Sequence, residues 1–262
     1  MSISSGTHGV STSPTVPSRL HVVSRGSGDP PVLFAHSFAG DVSHWDATLE
    51  HLEGNLHVVA FDFSGHGQSP PAAGPYSIEE LAEDIGAAAD AAHLEDFVLV
   101  GHSLGASVAA EFAGSHARRV KALVLVDAPP APGAIPPEQI GQLRAALDKD
   151  PIPVVEQFWN QQMLIDAHEQ VKQKLFAGLH GMTRQAAAGI TDALLRYDAR
   201  DALLRYPGPK FAIVTPRNDA PLSLHNAVPG FRHAVIQGTS HWIHLDKPAE
   251  FNRTLDGFLA TV

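Results

Sequence analysis

Phe97-Val98-Leu99-Val100-Gly101-His102-Ser103-Leu104-Gly105, continuing as Ala106-Ser107-Val108-Ala109-Ala110-Glu111-Phe112, is the stretch that decides the fold. Four consecutive apolar residues ahead of a glycine read as a strand covered on both faces. Leu104, Val108 and Phe112 then share one helical face, and Ala106, Ala109, Ala110 and Ala113 keep that helix slim. Strand and helix must therefore be joined by a reversal of very few residues. Such a reversal strains the backbone of Ser103 and needs neighbours without bulk, which Gly101 and Gly105 supply. Gly-x-Ser-x-Gly in a strand–turn–helix context lifts the serine hydroxyl above the sheet edge. The N–H of Leu104, at the helix start, points where an oxyanion would form. A glycine-rich turn with a helix-capping serine fits the same five residues. The buried strand ahead of them favours a nucleophile.

Working outward, further short apolar runs read as strands: Arg19–Ser24, Val32–Ala35, Leu56–Phe61, Val120–Val126, Phe211–Val214 and His233–Ile236. Helix signals lie between them. Ser77 with Glu80 is a capping-box pattern ahead of a run to about His93, and Pro248 opens a last helix to about Ala260. Alternating strand and helix predicts an α/β fold with a mostly parallel sheet flanked by helices. One stretch breaks the alternation. From Pro129 to about Tyr206 only helical segments occur: Pro137–Leu147, Val154–Ile165, Ala167–Leu179, Thr183–Tyr197 and Asp198–Arg205, with Thr183 and Asp198 as N-caps. The expected organisation is a loose tail at 1–17, a core from 18–128 and 207–262, and a helical cap at 129–206. A cap inserted between two strands of the C-terminal half would cover the sheet edge where ligands bind.

Composition narrows the function classes. Hydrophobic residues make up 44% of the 262 and charged residues 18%, enough for a sizeable core and too apolar for wholesale disorder. The formal charge of -10 argues against nucleic acid or anionic membrane as partner. There is no cysteine, so disulfides, a thiol nucleophile and thiolate metal sites are excluded. The 16 histidines show no regular metal-ligand spacing, and neither a metal nor a cofactor is expected. The first seventeen residues lack the pattern of a signal peptide and no apolar run is of membrane-spanning length, so a cytoplasmic location is expected.

Four segments together resemble the α/β-hydrolase superfamily: Phe34-Ala35-His36-Ser37-Phe38-Ala39-Gly40, Asp62-Phe63-Ser64-Gly65-His66-Gly67-Gln68-Ser69, Gly101–Gly105, and Gly238-Thr239-Ser240-His241-Trp242-Ile243-His244-Leu245. The likeness covers about 19–127 and 207–260. It implies Ser103 as nucleophile and His241 as its general base, in a loop arching over the serine. The N–H groups of Phe38 and Leu104 would form the oxyanion hole, with Ser37 where the family usually has Gly. His36 would shape that loop, and Asp62 would brace neighbouring loops. For the acid that holds the histidine tautomer, the resemblance puts Asp219 first, in Pro216-Arg217-Asn218-Asp219, giving the order Ser…Asp…His. Pro216 stands where the family commonly has Gly, and the interval to His241 is short, so the intervening helix is expected to be trimmed. Asp127, at the end of Val120–Val126, is the alternative acid that some relatives use.

The implied chemistry is cleavage of a carboxylic ester or lactone through an acyl-enzyme. An apolar pocket is expected from Phe38, Phe158, Trp159, Met163, Leu164 and Trp242, with Ser37 at its edge, for a small-molecule substrate. Residues at helical spacing in the cap serve equally to glue it to the body. Carbon–carbon bond hydrolysis and acyl transfer, including peracid formation, use the same residues. A ligand receptor on the same fold is the alternative of another class. Oligomeric state is not legible.

Overall fold

The computed structural model describes residues 20–132 and 136–262. The expected tail, 1–17, lies outside them. Seven strands form one sheet: β1 (Val22–Arg25), β2 (Val32–Ala35), β3 (Val58–Phe61), β4 (Phe97–His102), β5 (Val120–Val126), β6 (Lys210–Val214) and β7 (Phe231–Val235). Their spatial order is β1-β3-β2-β4-β5-β6-β7. β1 pairs antiparallel with β3 and all other pairs are parallel. Every residue of β2, β3, β4 and β6 is buried, as the continuous apolar runs require of strands covered on both faces.

Alternation of side chains divides the core in two. On one face Leu33, Phe61, Leu99 and Leu123 pack with residues of α2 (Ile78–Ala91) and α3 (Leu104–Ser115). On the other Phe34, Val100 and Val124 pack with Leu49 of α1 (Asp46–Leu52) and with Phe251 and Leu255 of the C-terminal helix Pro248–Leu259. Two of the three expected side-chain caps act as read. Ser77 Oγ accepts from Glu80 N at 3.0 Å, and Thr183 Oγ1 accepts from Ala186 N at 3.1 Å.

Among the described residues, five α-helices lie between β5 and β6: α4 (Pro137–Lys149), α5 (Pro151–Phe158), α6 (Glu169–Gly181), α7 (Arg184–Arg196) and α8 (Arg200–Arg205). The expected single helix Val154–Ile165 is not continuous. After Phe158 the chain widens into a π-helical turn, Trp159–Met163. Asp198 does not cap α8 directly; Ala199 is the N-cap, while Asp198 Oδ1 accepts from Arg200 N at 3.1 Å. The insert is tied to loops at the C-terminal ends of the parallel strands. Lys174 Nζ donates to the Ser43 carbonyl at 2.8 Å, and Met163 O accepts from His241 N at 3.1 Å. Gly178 sits so close to the loop after β2 that a Cβ would lie 2.2 Å from Ala39 O. Beyond β6 come two further short helices, α9 (Leu224–Ala227) and α10 (Ile243–Asp246), ahead of α11 (Pro248–Leu259). The four residues of α9 are the trimmed helix expected before His241. Among the described residues no helix is long and apolar enough to cross a membrane.

Candidate active site

Ser103 sits between β4 and α3 with φ 54° and ψ -113°, in the strained left-handed half of backbone space. What allows this is visible on both sides. A Cβ on Gly101 would lie 2.2 Å from Gly105 O, and one on Gly105 would lie 2.4 Å from Ala35 O. The second approach also brings the start of α3 against the end of β2, which sets the Leu104 N–H beside the loop carrying Phe38. Neither the Phe38 N–H nor the Leu104 N–H donates to a backbone carbonyl among the described residues.

His36 shapes that loop through a fixed tautomer. Its Nδ1–H donates to Ser37 O at 2.7 Å, and its Nε2 accepts from Phe63 N at 3.0 Å. Burial pushes its pKa down to about 4, so the ring stays neutral and holds both bonds at ordinary pH. Asp62 braces three segments: it accepts from Val42 N at 2.7 Å, Gln68 N at 2.8 Å and His21 Nδ1 at 2.9 Å. Ser37 is buried, and its hydroxyl accepts from Trp242 Nε1 at 3.1 Å. It therefore links the loop after β2 to the loop of His241.

His241 follows β7 and meets the elbow at His102, the two rings lying 4.7 Å apart. His102, the residue preceding Ser103, donates its Nε2–H to His241 O at 2.9 Å. Asp246 accepts from Ser240 N at 2.8 Å and from Ser240 Oγ, pinning the same loop from the other side. His241 Nδ1 lies 2.6 Å from Asp127 Oδ2, and both side chains are almost fully buried. Asp127 has φ 42°, and its other oxygen accepts two bonds from Thr215, N at 2.8 Å and Oγ1 at 3.0 Å. With Nδ1–H directed at a carboxylate, the lone pair of the imidazole is on Nε2, which is buried and has no partner among the described residues.

The structure does not bring Asp219, the first choice for the acid, into hydrogen-bond contact with His241. Asp219 is 34% exposed, and its Oδ1 accepts from His225 Nε2 at 3.0 Å and Asn226 Nδ2 at 3.1 Å. Hydrogen bonding from His225 and Asn226 holds its carboxyl below the usual range. The physical reason is local. Thr215 and Pro216 start a 3-10 turn, Pro216–Asn218, in which Thr215 Oγ1 accepts from Asn218 N at 3.3 Å. That turn delivers Thr215 and Asn218 towards β5, where Asn218 Nδ2 donates to Ala128 O at 2.7 Å, and swings Asp219 away.

Of the expected pocket residues, Phe38, Trp159 and Trp242 meet. Trp159 is edge-on to Phe38 at 6.3 Å and to Trp242 at 5.0 Å, and Trp242 is edge-on to His241 at 5.0 Å. The π turn brings Trp159 and the Met163 carbonyl to this loop, and Leu164 is buried behind them. Phe158 departs from expectation: it is 43% exposed, whereas Trp159 is buried. Sequence reasoning missed His102, Thr215, Asn218 and Asp246. Of these only His102 had a visible mark, its place inside the Gly-x-Ser-x-Gly motif.

Comparisons with known proteins agree with this architecture. The chain is 27% identical over 244 residues to the dihydrolipoyllysine-residue acetyltransferase component of the acetoin cleaving system of Pseudomonas putida, covering 89% of this chain and 64% of that one. The chain thus spans less than two thirds of that relative's length. It is 23% identical to 3-oxoadipate enol-lactonase 2 of Acinetobacter baylyi, over 92% of each chain. A thermophilic esterase from Thermogutta terrifontis superposes with a TM-score of 0.80 at 22% identity, covering 92% of this chain and 93% of the esterase. The pattern of the alpha/beta hydrolase fold family matches residues 30–161, half of the chain, across the loop after β2, the elbow and β5, and the chain belongs to that family.

Proposed function

We propose that the chain is a serine hydrolase that cleaves a carboxylic ester or lactone with Ser103, His241 and Asp127. One observation supports the reading: a serine at φ 54° on a glycine-flanked elbow is preceded by His102, which bonds the carbonyl of a histidine whose Nδ1 faces a buried carboxylate at 2.6 Å and whose Nε2 has no partner among the described residues. Asp127 holds the tautomer in which Nε2 is basic and stabilises the imidazolium once it forms. His241 takes the Ser103 proton as the oxygen attacks the substrate carbonyl. The Phe38 and Leu104 N–H groups receive the oxyanion of the tetrahedral intermediate. His241 then protonates the leaving alkoxide, and an acyl-Ser103 ester remains. Water, deprotonated by His241, repeats the attack and releases the acid. Catalytic hydrogen bonds are often long before substrate binds, so the unpartnered Nε2 fits an unliganded site.

In this reading the insert between β5 and β6 is a cap, and Phe38, Trp159 and Trp242 form the apolar wall that meets the acyl or lactone chain. Lactone or ester hydrolysis is placed ahead of carbon–carbon cleavage and acyl transfer because an enol-lactonase and an esterase are among the full-length relatives. The test is a panel of nitrophenyl esters, lactones and β-diketones with the purified chain, alongside fluorophosphonate labelling. Labelling and ester or lactone turnover should both vanish in Ser103→Ala and His241→Ala. A labelled serine with no turnover on any class would sink the enzyme reading and favour a receptor. Turnover confined to β-diketones would move the activity to carbon–carbon bonds.

A further inference from the structure

With Asp219 free of His241, its surroundings carry a set of metal-ligating groups. Asp219 follows the 3-10 turn after β6, His225 lies on α9, and His233 lies on β7. Their ligand atoms all lie within 4.8 Å of one another. His225 Nε2 is 3.0 Å from Asp219 Oδ1, His233 Nε2 is 3.9 Å from the same oxygen, and the two rings are 4.6 Å apart.

An ordinary hydrogen bond accounts for His225. It does not account for His233, whose nitrogen approaches the same carboxylate at a distance too long for a hydrogen bond. Neighbouring ligand atoms around a tetrahedral zinc ion, with bonds of about 2.0–2.2 Å, are themselves separated by roughly 3.3 Å. The observed separations bracket that value. The His225 side chain is 3% exposed and forms a rigid wall, whereas the Asp219 and His233 side chains are open to solvent, giving an entry path and room for water. Asn226 Nδ2 also donates to Asp219 Oδ1, at 3.1 Å. Asp219 Oδ2 remains available beside it.

We propose that Asp219, His225 and His233 bind one divalent transition-metal ion of the zinc class, with water completing its coordination. Two imidazoles with one carboxylate suit zinc and its neighbours; calcium and magnesium take oxygen ligands instead. The ion would clamp β7 and α9 to the loop 215–219. Through Thr215 and Asn218 that same loop reaches Asp127 and Ala128, so the clamp stands behind the triad acid without touching the reacting atoms. The proposal does not depend on the hydrolase reading.

The test uses the full chain after chelator treatment. Zn²⁺ binding is followed by calorimetry, Co²⁺ by its visible absorption, and Tm is measured with and without metal. The wild type should bind one equivalent of Zn²⁺ and gain in Tm. His233→Gln should weaken that binding roughly tenfold or more and abolish the gain in Tm. Asp219→Asn should do the same. His233 is partly exposed on β7, so its variant should fold, and an unchanged Tm in chelator checks this. His51→Gln, which breaks a two-residue pair with Asp256, should bind as wild type does. If one equivalent binds with unchanged affinity in His233→Gln and Asp219→Asn, the metal sits on other histidines and the proposal falls. It also falls if the wild type binds no tighter than these variants.

Discussion

The loops after β5 and β6 each carry an aspartate in the right chain order between Ser103 and His241, and they have opposite fates. Asp127 is 3% exposed, sits at a left-handed φ, and divides its two oxygens between His241 and Thr215. Asp219 stands one strand further out, its side chain a third exposed, among His225, Asn226 and His233. The sheet register makes the difference. His102 pairs with Val126, so the residue after Val126 emerges directly beside the residue after His102, and these are Asp127 and Ser103. Chain order alone is satisfied by either aspartate; adjacency in the sheet is satisfied by one.

The sharpest way to break this comparison is the paired substitution. Asp127→Asn should lower kcat on an activated ester about 10³–10⁴-fold, because the amide favours the wrong histidine tautomer. Circular dichroism should show the fold retained. Asp219→Asn should change kcat by less than about threefold. The reverse ranking would return the acid to the loop after β6.

A second contrast concerns histidines. Those behind the Asp127 side are deeply buried: burial lowers His36 and His44 to about 4 and His66 to about 3, and pushes His102 and His244 well down. His233, on the Asp219 side, is partly exposed. A buried neutral histidine binds its proton less readily folded than unfolded. Its stabilising contribution is therefore present above about pH 6.5 and lost as the pH falls towards the folded value. Over pH 6.5 to 4 each such group should cost about 1.4 kcal/mol per pH unit once the unfolded form is protonated. Asp84 works the other way: burial raises it to about 6, so its penalty is relieved on acidification, but it is one group against several. Denaturant unfolding across this range should therefore show stability falling steeply. His44→Gln should flatten the slope by one histidine's share.

The smallest effect probes the support of the acid. Thr215→Val removes the Oγ1 bond to Asp127 and keeps the backbone one. A loss of about tenfold in kcat with KM little changed is expected, the worth of one hydrogen bond to a charged group. Equal loss in KM would mean that Thr215 acts on binding instead.

Much of this molecule was legible in the residues. Each of the seven runs read as strands carries one of the seven strands, and β2, β3 and β4 were the plainest of them, because a strand buried on both faces must be largely apolar. Ser77, Thr183 and Pro248 marked helix starts by chemistry that acts within one turn. Gly101, Ser103 and Gly105 were legible because a tight reversal leaves room for nothing larger. The π turn at Trp159–Met163 was not legible, since a wider turn uses the same residues as a helix and is selected by what it packs against.

Local sequence thus encodes the alternation of elements, the elbow, and the loop that carries His241. Each depends on neighbours within a few positions. Only the tertiary structure decided which aspartate faces that histidine. It also decided that Ser37 bonds Trp242 across 205 positions, and that Asp219, His225 and His233 converge. Those outcomes follow from strand order and register, which arise from packing the whole sheet, and no local spacing encodes them.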